Sequence, residues 1–127
     1  MSWMYIEREQ FVRMCDKLDI SSTVRDAIRA WATEVSNKSE APRLKLVYRT
    51  SNNHYESWSA GIPNPDSNRG KSGGYRIVYF LDLKEKTINL DFIEERKNLG
   101  FGNERPRDRE KYNEYLRNLK KYLNGLI

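Results

Sequence analysis

The chain has 127 residues, 38% of them hydrophobic and 32% charged, with a formal net charge of +5 and a pI near 9.3. That length makes one domain with a single core, residues 1–127, and the charge favours an anionic partner without choosing among RNA, DNA and an acidic protein. No N-terminal apolar run of signal-peptide type occurs, nor any stretch approaching the ~20 apolar residues of a membrane helix, so a soluble, cytoplasmic protein with no membrane partner is expected. The single cysteine, Cys15, has no intrachain partner and lies among apolar helix positions, as an inert buried thiol in a reducing compartment would.

Residues 3–6 form a short apolar and aromatic opening with strand character. Phe11, Met14 and Leu18 follow at helical spacing and predict a helix over residues 8–18. Ser21 and Ser22 offer an N-cap, and Val24, Ile28, Trp31 and Val35 recur at i, i+4, i+7 and i+11. A second amphipathic helix is therefore predicted over residues 22–36, with Trp31 as a packing anchor between helix and sheet. The polar segment 37–42 ends in proline and reads as the link to a sheet.

Strand patterns follow. Leu44, Leu46 and Tyr48 alternate with Lys45, Val47 and Arg49; residues 51–53 make a turn; and in residues 55–62 Trp58, Ala60 and Ile62 share a face. Two prolines and several turn-formers make residues 62–69 a loop. Residues 75–83 are the third of these strands, and Lys84-Glu85-Lys86 turns it into residues 87–94, where Ile88, Leu90 and Phe92 alternate; so short a link makes the two strands antiparallel. Residues 98–105 are a Gly/Asn loop, Pro106 suits the first turn of a helix, and Tyr112, Tyr115, Leu116, Leu119 and Leu123 mark its apolar stripe.

The most specific stretch is residues 70–80, Gly70-Lys71-Ser72-Gly73-Gly74-Tyr75-Arg76-Ile77-Val78-Tyr79-Phe80, a basic, glycine-rich loop that runs directly into a strand. It delivers an arginine at the start of a rigid element, a device suited to holding a cation against phosphate. A nucleotide-binding P-loop is excluded, because that motif needs a glycine five positions before Gly70 and residue 65 is proline.

This segment resembles the central motif of RelE/HigB-type toxins of toxin–antitoxin systems, where a Lys-Ser-Gly-Gly-Tyr-Arg sequence enters a core strand. The predicted element order, strand, two helices, antiparallel strands and a C-terminal helix, is similar to that of the RelE/ParE fold. The resemblance covers residues 4–123 and implies an α+β domain: a small antiparallel sheet with two N-terminal helices packed on one face and a C-terminal helix. It also implies an mRNA endoribonuclease acting at the ribosome, driving a ribose 2′-hydroxyl onto the adjacent phosphate without metal or cofactor. Its partners would be mRNA, the ribosome and an adjacently encoded, DNA-binding antitoxin.

Residue by residue, Arg76 matches the arginine of the family's Gly-Tyr-Arg motif, whose role is phosphate and transition-state contact. Arg96 and Lys97 match a second catalytic arginine by position and type. Tyr112 sits where some relatives carry a C-terminal tyrosine, with Tyr115 an equal candidate; both are also helix-packing positions. Many relatives carry two lysines on the strand before the motif, and Ser57-Trp58-Ser59-Ala60-Gly61 has none here. The general base is therefore open among Lys71, His54 and Glu95, His54 being the only histidine. One histidine and one cysteine at unrelated positions do not make a metal-ligand set. ParE-type toxins, which bind gyrase without nuclease chemistry, share the fold, so a binding-only function stays open beside cleavage.

Overall fold

The computed structural model describes residues 3–36, 45–52, 54–62, 74–95 and 106–126, with the backbone alone at 35, 36 and 106–109. The elements are β1 (Met4–Glu7), α1 (Glu9–Lys17), α2 (Ser22–Ser36), β2 (Lys45–Arg49), β3 (Tyr55–Ile62), β4 (Tyr75–Asp82), β5 (Thr87–Glu95) and α3 (Pro106–Gly125). They lie within a residue or two of the predicted positions. The fold is α+β, with the sheet order β1-β5-β4-β3-β2.

Strands β2 to β5 form an antiparallel meander. The sheet as a whole is mixed rather than antiparallel, because β1 pairs with β5 in parallel, Tyr5 opposite Ile88 and Glu7 opposite Leu90. Connectivity accounts for this correction. β1 and β2 occupy opposite edges, so α1 and α2 carry the chain across one face of the sheet, and the meander then returns β5 to the side of β1. Periodicity finds strands but carries no sign of their direction, and only the hairpin links were short enough to fix it.

The sheet is covered on both faces. Against one lie α1 and α2, where Phe11, Cys15, Val24 and Ile28 pack with Trp58, Ala60, Ile77, Tyr79, Ile88 and Leu90. Ser21 caps α2, its Oγ accepting from the Val24 amide at 3.3 Å. Trp31 meets Tyr79 edge-on at 5.3 Å, the helix-to-sheet anchor its position predicts. Cys15 is buried in this layer, and burial pushes its thiol pKa upward, which keeps it protonated and inert. Over the other face lies α3, where Leu119 and Leu123 join Tyr55, Val78, Phe80 and Phe92, with Tyr112 and Tyr115 at the margin.

Two β-bulges break the alternation expected from sequence. In β2, Leu46 pairs with Trp58 and Tyr48 with Ser57, so Val47 is the extra residue; Leu46 and Tyr48 do not share a face, and Leu46 is left exposed. In β5, Phe92 pairs with Val78 and Leu90 with Tyr79, which makes Asp91 the extra residue. Ile88 and Leu90 accordingly join the layer under α1 and α2, whereas Phe92 turns to the α3 face. Among the described residues no helix is long and apolar enough to cross a membrane.

Candidate functional site

The α3 face of the sheet is polar at its floor. Ser57, Ser59, Asn89, Asp91 and Glu94 are all buried there, and each is tied down. Ser57 donates to the Tyr79 carbonyl at 3.2 Å, Asn89 to Thr87 Oγ1 at 3.0 Å and to the Phe80 carbonyl at 3.4 Å. Each of these buried polar groups has a partner, which avoids the desolvation penalty of leaving it unpaired.

Arg76 is the second residue of β4. Tyr75 and Ile77 point into the α1/α2 layer, so the pleat sends Arg76 to the α3 face, where it is half-buried. Its Nη1 donates to Ser59 Oγ at 2.7 Å. In the strand register Arg76 stands between Gly61 on β3 and Glu94 on β5: one neighbour presents no side chain and the other a carboxylate. Glu94 is itself oriented by the backbone, its Oε1 accepting from the Glu95 amide at 2.8 Å. Tyr112, from the first half of α3, closes the group and tilts against Phe92 at 5.6 Å. Burial raises the pKa of its phenol, and the positive charge of Arg76 pulls it back down. The group thus combines a cation, a carboxylate, a phenol and a hydroxyl on one sheet face.

Of the predicted site residues, Arg76 and Tyr112 come together. Tyr115 lies one turn further along α3, stacked on Phe92 at 4.4 Å, with its hydroxyl donating to Asp91 Oδ2 at 2.5 Å. Glu95 pairs with Tyr75 and, two residues beyond the core residue Ile93, belongs to the opposite face from Arg76. Glu94 is the carboxylate beside the arginine. His54 is elsewhere altogether: Tyr55 pairs with Asp82 and Gly61 with Arg76, which separates the two ends of β3 by roughly 20 Å. There its Nε2 lies 3.0 Å from Asp82 Oδ1 and its ring stacks on Tyr55 at 4.2 Å. The same Asp82 oxygen accepts from the amides of Lys84 and Glu85, so His54 braces the β4–β5 turn. Lys71, Arg96 and Lys97 lie outside the described residues.

Glu94 and Ser59 were missed from sequence. Their signal was the register itself: Ser59 lies within the lysine-free strand, and Glu94 faces Arg76 only because the bulge at Asp91 shifts the pleat by one residue. Among the described residues, no three His, Cys, Asp or Glu side chains are grouped to share a metal ion. Compared with protein-family models, curated proteins and solved structures, the chain matches none.

Proposed function

We propose that the chain is the toxin of a type II toxin–antitoxin pair, a cytoplasmic endoribonuclease of RelE/HigB type that cuts mRNA at the ribosome. The observation that carries this reading is the setting of Arg76. The arginine of the Gly-Tyr-Arg motif stands on the sheet face opposite α1 and α2, held by Ser59 and flanked by Glu94 and Tyr112. In this mechanism Arg76 binds the scissile phosphate and stabilises the charge of the pentavalent phosphorane. Glu94 takes the proton of the attacking 2′-hydroxyl, a role a carboxylate fills when burial and geometry aim it. Tyr112 supplies a proton toward the leaving 5′ oxygen, together with the basic side chains Lys71, Arg96 and Lys97. An antitoxin covers the same face in the resting pair.

One observation favours a second reading, a member of the same fold that binds RNA, gyrase or its repressor partner without cleaving. The carboxylate opposite Arg76 offsets part of the charge a phosphorane needs, and α3 already lies across this face. Arg76→Ala tests the first reading. A preorganised cation contributes ~3–4 kcal/mol to such a transition state, so cleavage should fall ~10²–10³-fold and growth arrest should vanish in a folded, soluble variant. Primer-extension mapping after brief induction reads this directly. Undiminished cleavage would refute the assignment, and gyrase inhibition by purified protein without transcript cleavage would establish the second reading.

A further inference from the structure

The bulge at Asp91 builds a second feature on the same face. A cleft of about 200 Å³ opens between α3 and the start of α1, with Arg8, Gln10, Asp91, Tyr115, Asn118 and Tyr122 among its lining residues. Arg8 precedes the first turn of α1 but makes no capping bond with its side chain. Instead its Nε donates to Asp91 Oδ1 at 3.0 Å and its Nη2 to the Tyr122 hydroxyl at 2.9 Å. The guanidinium carbon lies 5.2 Å from the Phe80 ring centre and 4.8 Å from that of Tyr122. Tyr115 holds the other oxygen of Asp91. The inner wall is thus rigid, while Gln10 and Asn118 stand exposed at the rim. Tyr122 keeps 41% of its surface exposed.

These features select a ligand class. Asp91 and Arg8 cancel, so the wall carries no net charge and a phosphate or carboxylate gains little there. The rim presents two carboxamides, that of Asn118 and that of Gln10, whose Nε2 already donates to the Asp91 carbonyl at 3.3 Å and whose oxygen is left to accept, beside an aromatic ring and a stacked guanidinium. That is the set by which proteins read an unstacked base, through its hydrogen-bonding edges and its π face. The volume lies below the ~300–1,000 Å³ of sites for drug-sized ligands, which suits one ring system and not a dinucleotide. The Asn118 side chain has no hydrogen-bond partner among the described residues, which leaves its carboxamide for a ligand.

We infer that this cleft is a subsite for a single nucleobase, its edge read by Gln10 and Asn118 and its ring resting on Tyr122. The biological source of that base rests on the function proposed above. Tyr122 meets the ring of Phe80, four residues along β4 from Arg76, so the cleft lies roughly 13 Å along the sheet from Arg76 and takes a base of a nucleotide neighbouring the scissile phosphate.

The test uses uncharged nucleosides, which have no phosphate for Arg76. Each of the four is titrated into the isotopically labelled full chain and followed by NMR. Saturable shifts at the amides of Gln10, Asn118 and Tyr122 are expected, with one base preferred. Asn118→Ala, an exposed change, should weaken that nucleoside about tenfold, the value of a good bidentate base contact. No saturable shift with any nucleoside overturns the inference, as does ribose 5-phosphate occupying the same cleft or an Asn118→Ala chain that binds as before. Failure of the nuclease reading looks different: nucleosides still bind at the cleft, but the wild-type chain cleaves no transcript.

Discussion

Tyr115→Phe isolates one atom of the network that holds α3 to the sheet. The hydroxyl donates to a carboxylate that is 7% exposed, and the 2.5 Å separation falls at the short end for a charge-assisted O–H···O⁻ bond. Bonds to charged groups are worth ~1.5–3 kcal/mol, and because Arg8 still holds the other oxygen of Asp91, the lower part of that range applies, ~1.5–2 kcal/mol. The ring remains stacked on Phe92, so no cavity adds to the loss. For a chain of this size the melting temperature should drop by about 5–9 °C. Asp91→Ala removes the bond from Arg8 as well; that side chain is one-third exposed, so its share is discounted for solvent and the total is ~3 kcal/mol. A double-mutant cycle by urea denaturation should give a coupling of ~1–2 kcal/mol.

The same variant has a signature in pH. Burial, and then the Asp91 charge, raise the Tyr115 pKa above the ordinary phenol value of 10.0. A folded-state pKa raised in this way leaves its stabilisation fully present below pH 10, and the folded protein loses it as pH rises beyond that, because the unfolded chain gives up the proton first. The slope is about 1.4 kcal/mol per pH unit per tyrosine. Tyr115→Phe should therefore be less stable at neutral pH yet decline less steeply above pH 10; Tyr112, raised in the same direction, accounts for part of what remains. A coupling indistinguishable from zero, together with parallel alkaline slopes for wild type and variant, would refute the bond.

Three further outcomes follow from the placement of groups around the sheet. Glu94→Gln keeps the size of the side chain and removes its charge; transcript cleavage should fall ~10²–10⁴-fold with RNA binding retained, and unchanged cleavage would place the base elsewhere. His54→Ala should cost ~1 kcal/mol in thermal denaturation, through its bond to Asp82 and its stack on Tyr55, while leaving growth arrest intact; loss of arrest in a stable variant would mean that the turn, not the Arg76 end, carries function. Co-expression with the adjacent reading frame should restore growth and co-purify a complex, whose affinity should fall with salt as rim pairs are screened over a Debye length of ~8–10 Å.

Helices and strands were legible because their periodicities were strong. The stripe Val24, Ile28, Trp31 could bury itself in only one way, and the run Trp58, Ala60, Ile62 lies on one face as its spacing predicts. Strand direction was legible only for hairpins; β1 enters the sheet from the far edge, and nothing local in Met4–Glu7 distinguishes a parallel from an antiparallel partner. The position of Arg76 at the start of a strand was legible from the glycine-rich run before it. His54 was named as the only histidine, and residue type says nothing about where along a strand a residue falls.

The largest departure comes from one residue in β5. Counted strictly from Ile88 and Leu90, Phe92 and Glu94 share their face and Glu95 takes the other. The extra residue at Asp91 inverts this parity for the rest of the strand. It brings Phe92 under α3 as the platform for Tyr112 and Tyr115, aims Glu94 along the face of Arg76, and leaves the Asp91 carboxylate for Arg8 and Tyr115. A bulge in a strand interior interrupts the hydrogen-bond ladder, and it persists where surrounding contacts fix the displaced residue. Here a guanidinium, a phenol and the Gln10 amide on the Asp91 carbonyl do so. The bulge is thus the common origin of the polar group at Arg76 and of the cleft further along the sheet. The physical link between the two is the pleat of β5: any change that releases Asp91 relaxes the register that turns Glu94 toward Arg76.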